Sequence, residues 1–432
     1  MKRLLFSMSL LPLLVPGMAA ADTLEDALLA AHNNNPNLED ARLAVRAARE
    51  DRVQANSAYL PQIGLSATAG VERDQNDRPA NGPFPAAREI TELQPNTSTV
   101  QLQQQLFTGG RRIGQSQLAT AGIENARAGL RGTEQDVLLQ AVEAYLSVRR
   151  DISIVALNEE HVAGLERQLQ GTQRRLQVGE VSRTDLAQTQ TRLAGARAAL
   201  ARARAALDNS RARYFEVVGA MPEDLQPAPT PQAPQTLELA MRQAELIHPS
   251  LLQARAGEAA ARARVNIERS SLMPQVAIVG RFDAIEDTDF ENQTQQQSSA
   301  VAQLSMPLFE GGFAASRTRQ GRINVDRAEA RTEAQRRQIR SGVIQAWSGL
   351  EAGQEVLQAA REQQDAAETA LRGVERERGL GLRSTIDVLN AEEELRDAKI
   401  AYARAEAEYT FAGYALLSSI GALSLETLGV RD

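Results

Sequence analysis

Two short motifs carry the residues in this sequence whose types and spacing could do chemistry. Ser182-Arg183-Thr184-Asp185 and Ser384-Thr385-Ile386-Asp387 each place a carboxylate three residues after a serine, just behind Gly179 and Gly381. In such a pattern the serine caps the first turn of a helix and the acid reaches back to the serine N–H, while the glycine ends the helix before. That structural reading is sufficient on its own. A second reading is electrostatic: carboxylates from several chains that converge on one aperture focus a negative potential and favour cations.

Other routes to chemistry are closed. His32, His161 and His248 stand in no metal-ligand spacing, and no cysteine exists to complete a site, form a disulfide or supply a thiolate. Gly109-Gly110 and Gly311-Gly312 lack the Lys-Ser/Thr of a phosphate loop, and no Gly-x-Ser-x-Gly elbow occurs. The sequence predicts neither an enzyme nor a cofactor. A formal net charge of −7 argues against a nucleic-acid partner.

The elements that position the two motifs come from an internal repeat. Leu24, Ala27, Pro36, Leu38, Ala41 and Pro61-Gln62 recur 213 residues later as Leu237, Ala240, Pro249, Leu251, Ala254 and Pro274-Gln275. Leu106-Phe107, Gly109-Gly110, Tyr145, Gly179, Asp185 and Gly219 recur at an offset of 202 as Leu308-Phe309, Gly311-Gly312, Trp347, Gly381, Asp387 and Gly421. The first copy is read over residues 22–221 and the second over 237–432. Between them, residues 222–236 hold Pro222, Pro227, Pro229, Pro231 and Pro234, an extended linker. Ahead of both, residues 1–21 read as a secretory signal peptide: Lys2-Arg3, an apolar run from Leu4 to Val15, and small residues Ala19-Ala20-Ala21.

Each copy reads as a helix, a β-hairpin, a long helix and a shorter helix. In the first copy one helix is expected from Leu24 to about Ser57, stopped by Pro61. Ile63, Leu65, Ala67, Ala69 and Val71 then alternate with polar or small residues, as do Val100, Leu102 and Leu106, so hairpins are expected at about 62–107 and 275–308. The four strands are placed at Gln62–Glu72, Thr97–Phe107, Gln275–Phe282 and Ala300–Leu308. The polar stretches Asp74–Asn96 and Glu286–Ser298 are expected to be loops between them. From Arg111 to about Gln177 no proline interrupts the chain. The shorter helix carries a heptad: Leu186, Leu193, Leu200, Leu207 and Tyr214, answered by Val388, Leu395, Tyr402, Tyr409 and Leu416. Three residues after each stands a smaller one, including Ala196, Ala203, Ala398 and Ala405, which gives a coiled-coil seam. At ~1.5 Å per residue the long helix is roughly 100 Å and each shorter one roughly 50 Å, so two short helices match one long one. Four strands cannot close a barrel, for which about eight is the practical minimum, so any barrel is shared between chains.

On the duplicated Leu60-Pro61-Gln62 and Met273-Pro274-Gln275, the Leu-Phe-x-Gly-Gly pair and the run Gly381-Leu-Arg-Ser-Thr-Ile-Asp-Val-Leu-Asn-Ala391, the sequence resembles the TolC family of outer-membrane export channels. The resemblance covers essentially the whole chain after the signal peptide. It implies a mainly α fold with a small β part: antiparallel coiled-coil helices forming an α-barrel, and a homotrimer whose strands build a shared 12-stranded transmembrane β-barrel. It also implies a periplasmic adaptor protein, an inner-membrane pump of the RND, ABC or MFS type, and outer-membrane lipid as partners. The family's periplasmic gate maps onto Arg383 and Asp387. Gln170, Arg378 and Asn390 stand where the family commonly has an aspartate, a gate tyrosine and a second pore aspartate, so one acidic residue per chain is expected at the aperture. Two other classes fit parts of the pattern. A periplasmic adaptor would carry a central β-rich region between helical arms, and a soluble coiled-coil scaffold would lack alternating strands.

Overall fold

Proline and glycine set the boundaries in the computed structural model, which describes residues 23–78, 87–286 and 294–429. The first copy runs α1 (Leu24–Asn34), α2 (Pro36–Ser57), β1 (Gln62–Ala69), β2 (Glu72–Arg78), β3 (Ala87–Leu93), β4 (Asn96–Phe107), α3 (Arg111–Gln177) and α4 (Arg183–Val218). The second runs α5 (Leu237–Ile247), α6 (Pro249–Ser270), β5 (Gln275–Glu286), β6 (Thr294–Ser305), α7 (Phe313–Gly379) and α8 (Thr385–Ser419). The region read as a signal peptide, residues 1–21, lies wholly outside the described residues.

The single helix expected over Leu24–Ser57 is two. Asn35, at φ −74° and ψ 122°, is extended and separates α1 from α2; His248, at φ −60° and ψ 123°, does the same in the second copy. The cause is the proline that follows each, which pushes its predecessor out of the helical region and then opens the next helix, where a missing N–H costs nothing. The proline-rich linker forms neither helix nor strand from 221 to 234. Buried Tyr145 donates its hydroxyl to the Gln226 carbonyl at 2.7 Å, and Tyr414 donates to the Pro229 carbonyl at 2.9 Å.

The chain divides into two compact units, each drawing on both copies: residues 23–41, 130–249 and 337–429 in one, 42–129 and 250–336 in the other. The second unit holds the strands. Its main sheet is antiparallel in the order β1-β4-β5-β6, with β1 and β6 as edges. The register pairs Ile63 with Leu102, Leu65 with Val100, Val100 with Phe282 and Leu102 with Gly280, which collects the apolar side chains on one face. Ser66, Thr99, Gln101, Gln103, Asp283 and Ser299 fall on the other. Beyond the sheet, part of the expected loop Asp74–Asn96 is a second hairpin, β2 with β3, and β6 begins inside the expected loop Glu286–Ser298. Charge replaces apolar alternation in that hairpin: Arg73 faces Glu92 at 3.4 Å and Arg88 meets Asp77 at 2.9 Å.

In the first unit most of the heptad residues are buried, while Leu186, Tyr402 and Tyr409 are half-buried. Leu193, Leu200, Leu207 and Tyr214 alternate along α4 with buried Ala196, Ala203 and Ser210. Val162 and Leu165 of α3 pack on Leu193, Ala196 and Leu200, joined by Leu389 of α8; Ala367 and Leu371 of α7 pack on Leu395 and Ala398. Arg197 reaches Glu166 at 2.7 Å and Arg204 reaches Glu159 at 2.8 Å, seven residues on in one helix and seven back in the other. Overpacking a closed site costs about 1–3 kcal/mol. Ala405→Leu, at a buried seam position, should therefore lower the melting temperature of the assembled protein clearly more than Ala401→Leu, which is only half-buried. Equal shifts in a thermal melt would break the heptad frame.

Candidate functional site

The two serine–aspartate motifs sit at matching helical turns. Just beyond the end of α3 stands Gly179 at φ +77°, whose N–H bonds the Leu176 carbonyl at 3.1 Å while Glu180 N–H reaches the Arg175 carbonyl at 2.9 Å. The second copy repeats this: Gly381 at φ +76°, with Gly381 N–H on Arg378 O at 2.9 Å and Leu382 N–H on Glu377 O at 2.9 Å. Both turns close orphan helix carbonyls through a left-handed residue that glycine adopts without steric cost. The next helices then open with reciprocal caps. Asp185 N–H donates to Ser182 Oγ at 3.2 Å and Ser182 N–H to Asp185 Oδ2 at 2.8 Å; Asp387 N–H donates to Ser384 Oγ at 3.3 Å and Ser384 N–H to Asp387 Oδ2 at 2.9 Å.

These bonds set the charge. The Ser384 hydroxyl, then its backbone N–H, and the nearby Arg383 cation hold the Asp387 carboxyl below the usual range. Ser182 does the same for Asp185 through its N–H and hydroxyl. A depressed value means that the caps' stabilisation is complete above the ordinary carboxylate pKa and is lost as pH falls through the lower, folded one. Only Oδ2 of Asp387 is used in the cap, so a second oxygen remains to face solvent.

The remaining sequence-predicted residues divide. Arg383 donates through Nε to Glu377 at 2.7 Å, and both are about half exposed. Such a pair is worth about 0–1 kcal/mol and can exchange partners. Gln170 is exposed on α3, its carbonyl accepting from Arg174 at 3.4 Å, and Arg378 is exposed at the end of α7, its charge acting on Glu392. Neither hydrogen-bonds Asp387 among the described residues. Asn390 is engaged elsewhere: its Oδ1 accepts from Arg192 Nη2 at 2.6 Å, and Arg192 Nη1 donates to Glu393 at 3.0 Å. Sequence reasoning missed Arg192 and Glu393. Arg192 flanks the seam residue Leu193, a position where charges commonly choose partners, which is a usable signal. Asn390 and Glu393 lie on the face of α8 turned away from its own seam, and no two-helix frame could reveal that α4 covers that face.

The sheet completes the arrangement. Ile63, Leu65 and Leu304 leave about 70 % of their surface exposed on one face, a sheet whose apolar side is unmatched by any core of its own. Among the described residues both edges are unpaired within the chain, an arrangement natural proteins cover or close. No described helix is long and apolar enough to cross a membrane. In hydrocarbon only helices or closed barrels satisfy the backbone, so a sheet with an exposed apolar face and open edges has to be closed before it can meet lipid.

The family model described as outer membrane efflux protein matches residues 28–220 and 240–422, and the chain belongs to that family. It is 33% identical to the outer membrane efflux protein BepC of Brucella suis over 96% of this chain and 88% of that one. To the outer membrane protein TolC of Escherichia coli it is 25% identical over 97% of this chain and 87% of the other. Among solved structures, the Campylobacter jejuni CmeC outer membrane channel superposes with a TM-score of 0.79 at 14% identity, covering 92% of this chain and 85% of CmeC. The protein is an outer-membrane channel of the class serving efflux and type I secretion, a class of channel proteins.

Proposed function

We propose that three copies of this chain close one barrel of 12 strands (3 × 4) through β6 of each copy and β1 of the next, and that the helix hairpins continue the duct into the periplasm. The observation that carries this reading is the four-stranded sheet with one exposed apolar face and two open edges. Twelve strands satisfy every ladder bond and exceed the roughly eight needed for closure. The duct is passive. A periplasmic adaptor recruits it to an inner-membrane pump, and substrate moves through it to the outside.

Gly179–Asp185 and Gly381–Asp387 form the periplasmic entrance in this proposal. Asp387 contributes one carboxylate per chain to the aperture, because Asn390, one turn further, is uncharged and tied to Arg192. Three such groups focus a negative potential in a narrow space. Arg383, paired with the exposed Glu377 and close to Asp387, is the residue placed to bridge to a neighbouring copy and hold the end closed, together with the Arg192 contacts between α4 and α8.

Single-channel recording in planar bilayers tests both levels. Purified wild type should insert heat-modifiable oligomers that conduct in long-lived, low-conductance states. Asp387→Asn should lower cation selectivity and weaken block by multivalent cations with little loss of oligomer, since Asn also caps helices. Arg383→Ser should raise conductance. Unchanged selectivity would leave Asp387 as a cap alone, and unchanged conductance would remove Arg383 from the gate. A purified protein that never conducts would sink the channel reading.

A further inference from the structure

The main sheet is almost free of charge. Across β1, β4, β5 and β6 the ionisable side chains are Arg281, Asp283 and Glu286, all on β5, and Glu286 is the last residue of its strand. Arg281 lies opposite Gln101 and Ser299, and Asp283 opposite Thr99 and Gln297. Both therefore share the polar face, behind the face that carries Leu65, Val100 and Phe282. That face is otherwise mostly glutamine, serine, threonine, glycine and alanine, with Val279, Ile285 and Val301, and its polar residues already suit a water-filled lumen. A guanidinium is not needed to keep it wet.

The geometry also fixes that guanidinium. Asp283 is only 7% exposed, although it is charged. Its Oδ1 accepts from Thr99 Oγ1 at 2.6 Å and from Arg281 Nε at 2.8 Å, and its Oδ2 also lies 2.8 Å from Nε. The carboxylate thus sits beneath the arginine and uses its inner nitrogen. The terminal nitrogens, on a side chain about half exposed, make no hydrogen bond among the described residues. Ionisable groups inside a membrane protein face its interior and mark a pathway. A planar fork with free donors matches carboxylate and phosphate groups.

We infer that Arg281 is a binding point within the barrel for anionic groups of passing cargo, carboxylates or phosphates, with Asp283 as the positioning residue that orients it. The inference rests on the trimeric channel reading, which would place three such guanidiniums at one level of the lumen. They are separate from the acidic entrance at Asp387 and opposite in sign.

Pyrophosphate added to the barrel side of a planar bilayer is the probe, with current block and the reversal potential in a KCl gradient as readouts. Wild-type channels should be blocked. In Arg281→Gln the block should weaken roughly tenfold and the reversal potential should move toward cations, while Arg281→Lys keeps most of the block. A purely structural tie between β4 and β5 would alter oligomer stability and leave the block unmoved, while the reversal potential would shift in either case because Asp283 loses its countercharge. Block that is absent in wild type, or equal in wild type and Arg281→Gln, overturns the inference. Should Arg281→Gln fail to assemble, Asp283→Asn decides: it keeps the guanidinium and frees it, so block should strengthen, and unchanged block counts against the assignment. Wild type that forms no channel at all is a different result, which removes the channel reading and this inference with it.

Discussion

Leu65→Arg should leave almost no assembled protein in the outer membrane, whereas Ser66→Arg, its neighbour on the same strand, should assemble near wild-type levels. Leu65 is 73% exposed and lies opposite Val100, which lies opposite Phe282 in turn, so its side chain belongs to the apolar face. Arginine on a lipid face near the bilayer midplane costs about 2–4 kcal/mol per chain, roughly 6–12 over the three copies of the proposed trimer, against a stability usually of 5–15. Ser66 lies opposite Thr99 on the polar face, where Arg281 is already accommodated. An arginine there meets water. Quantifying heat-modifiable oligomer in outer-membrane fractions separates the cases, and equal tolerance at both positions would refute the assignment of faces.

Gly109→Ala should be the more damaging of two substitutions that look alike in sequence, the other being Gly311→Ala at the repeat-equivalent position. Both glycines have left-handed backbone, φ +62° and +59°. Alanine in that region costs about 1–2 kcal/mol at either site. Space separates them. A Cβ on Gly109 would lie 2.5 Å from Met273 Cβ and 2.7 Å from the Ser270 carbonyl, whereas one on Gly311 would meet nothing within 4 Å. The clash against backbone adds about 1–3 kcal/mol at Gly109 alone. Melting of the assembled protein should show a clear drop for Gly109→Ala and a small one for Gly311→Ala. Equal drops would contradict this and show that a neighbouring copy fills the space at Gly311.

What the sequence revealed, it revealed through local or periodic signals. The first long helix was legible because no proline between Arg111 and Gln177 interrupts it, and the caps because Ser182–Asp185 and Ser384–Asp387 are complete within four residues. The break at Asn35 carried a local signal, the poor helix formers His32, Asn33 and Asn34 and then Pro36, which was outweighed by the Ala- and Leu-rich stretches further out on both sides. The β2–β3 hairpin was hidden because its strands are matched by charge, Arg73 with Glu92 and Asp77 with Arg88, where apolar alternation was sought. At the proposed entrance, Arg192 and Asn390 meet across 198 residues of chain. Periodicity shows which face of a helix is buried in its own hairpin. It carries no information about which helix of the other copy covers the remaining faces.

The paired ladder between α3 and α4 has a consequence for how this protein can change over evolutionary time. Glu166 and Glu159 step back by seven along one helix while Arg197 and Arg204 step forward by seven along the other. A single inserted residue on either arm would rotate every later side chain by about 100° and turn the seam outward. An insertion of one heptad keeps the rotation nearly in phase, but only if the opposite arm gains seven residues as well. The α7–α8 hairpin, whose Asn390 and Glu393 bond Arg192, would have to gain the same length on both of its arms. Changes in reach are therefore expected as four coordinated insertions or deletions of seven residues, with intermediate lengths absent among viable descendants.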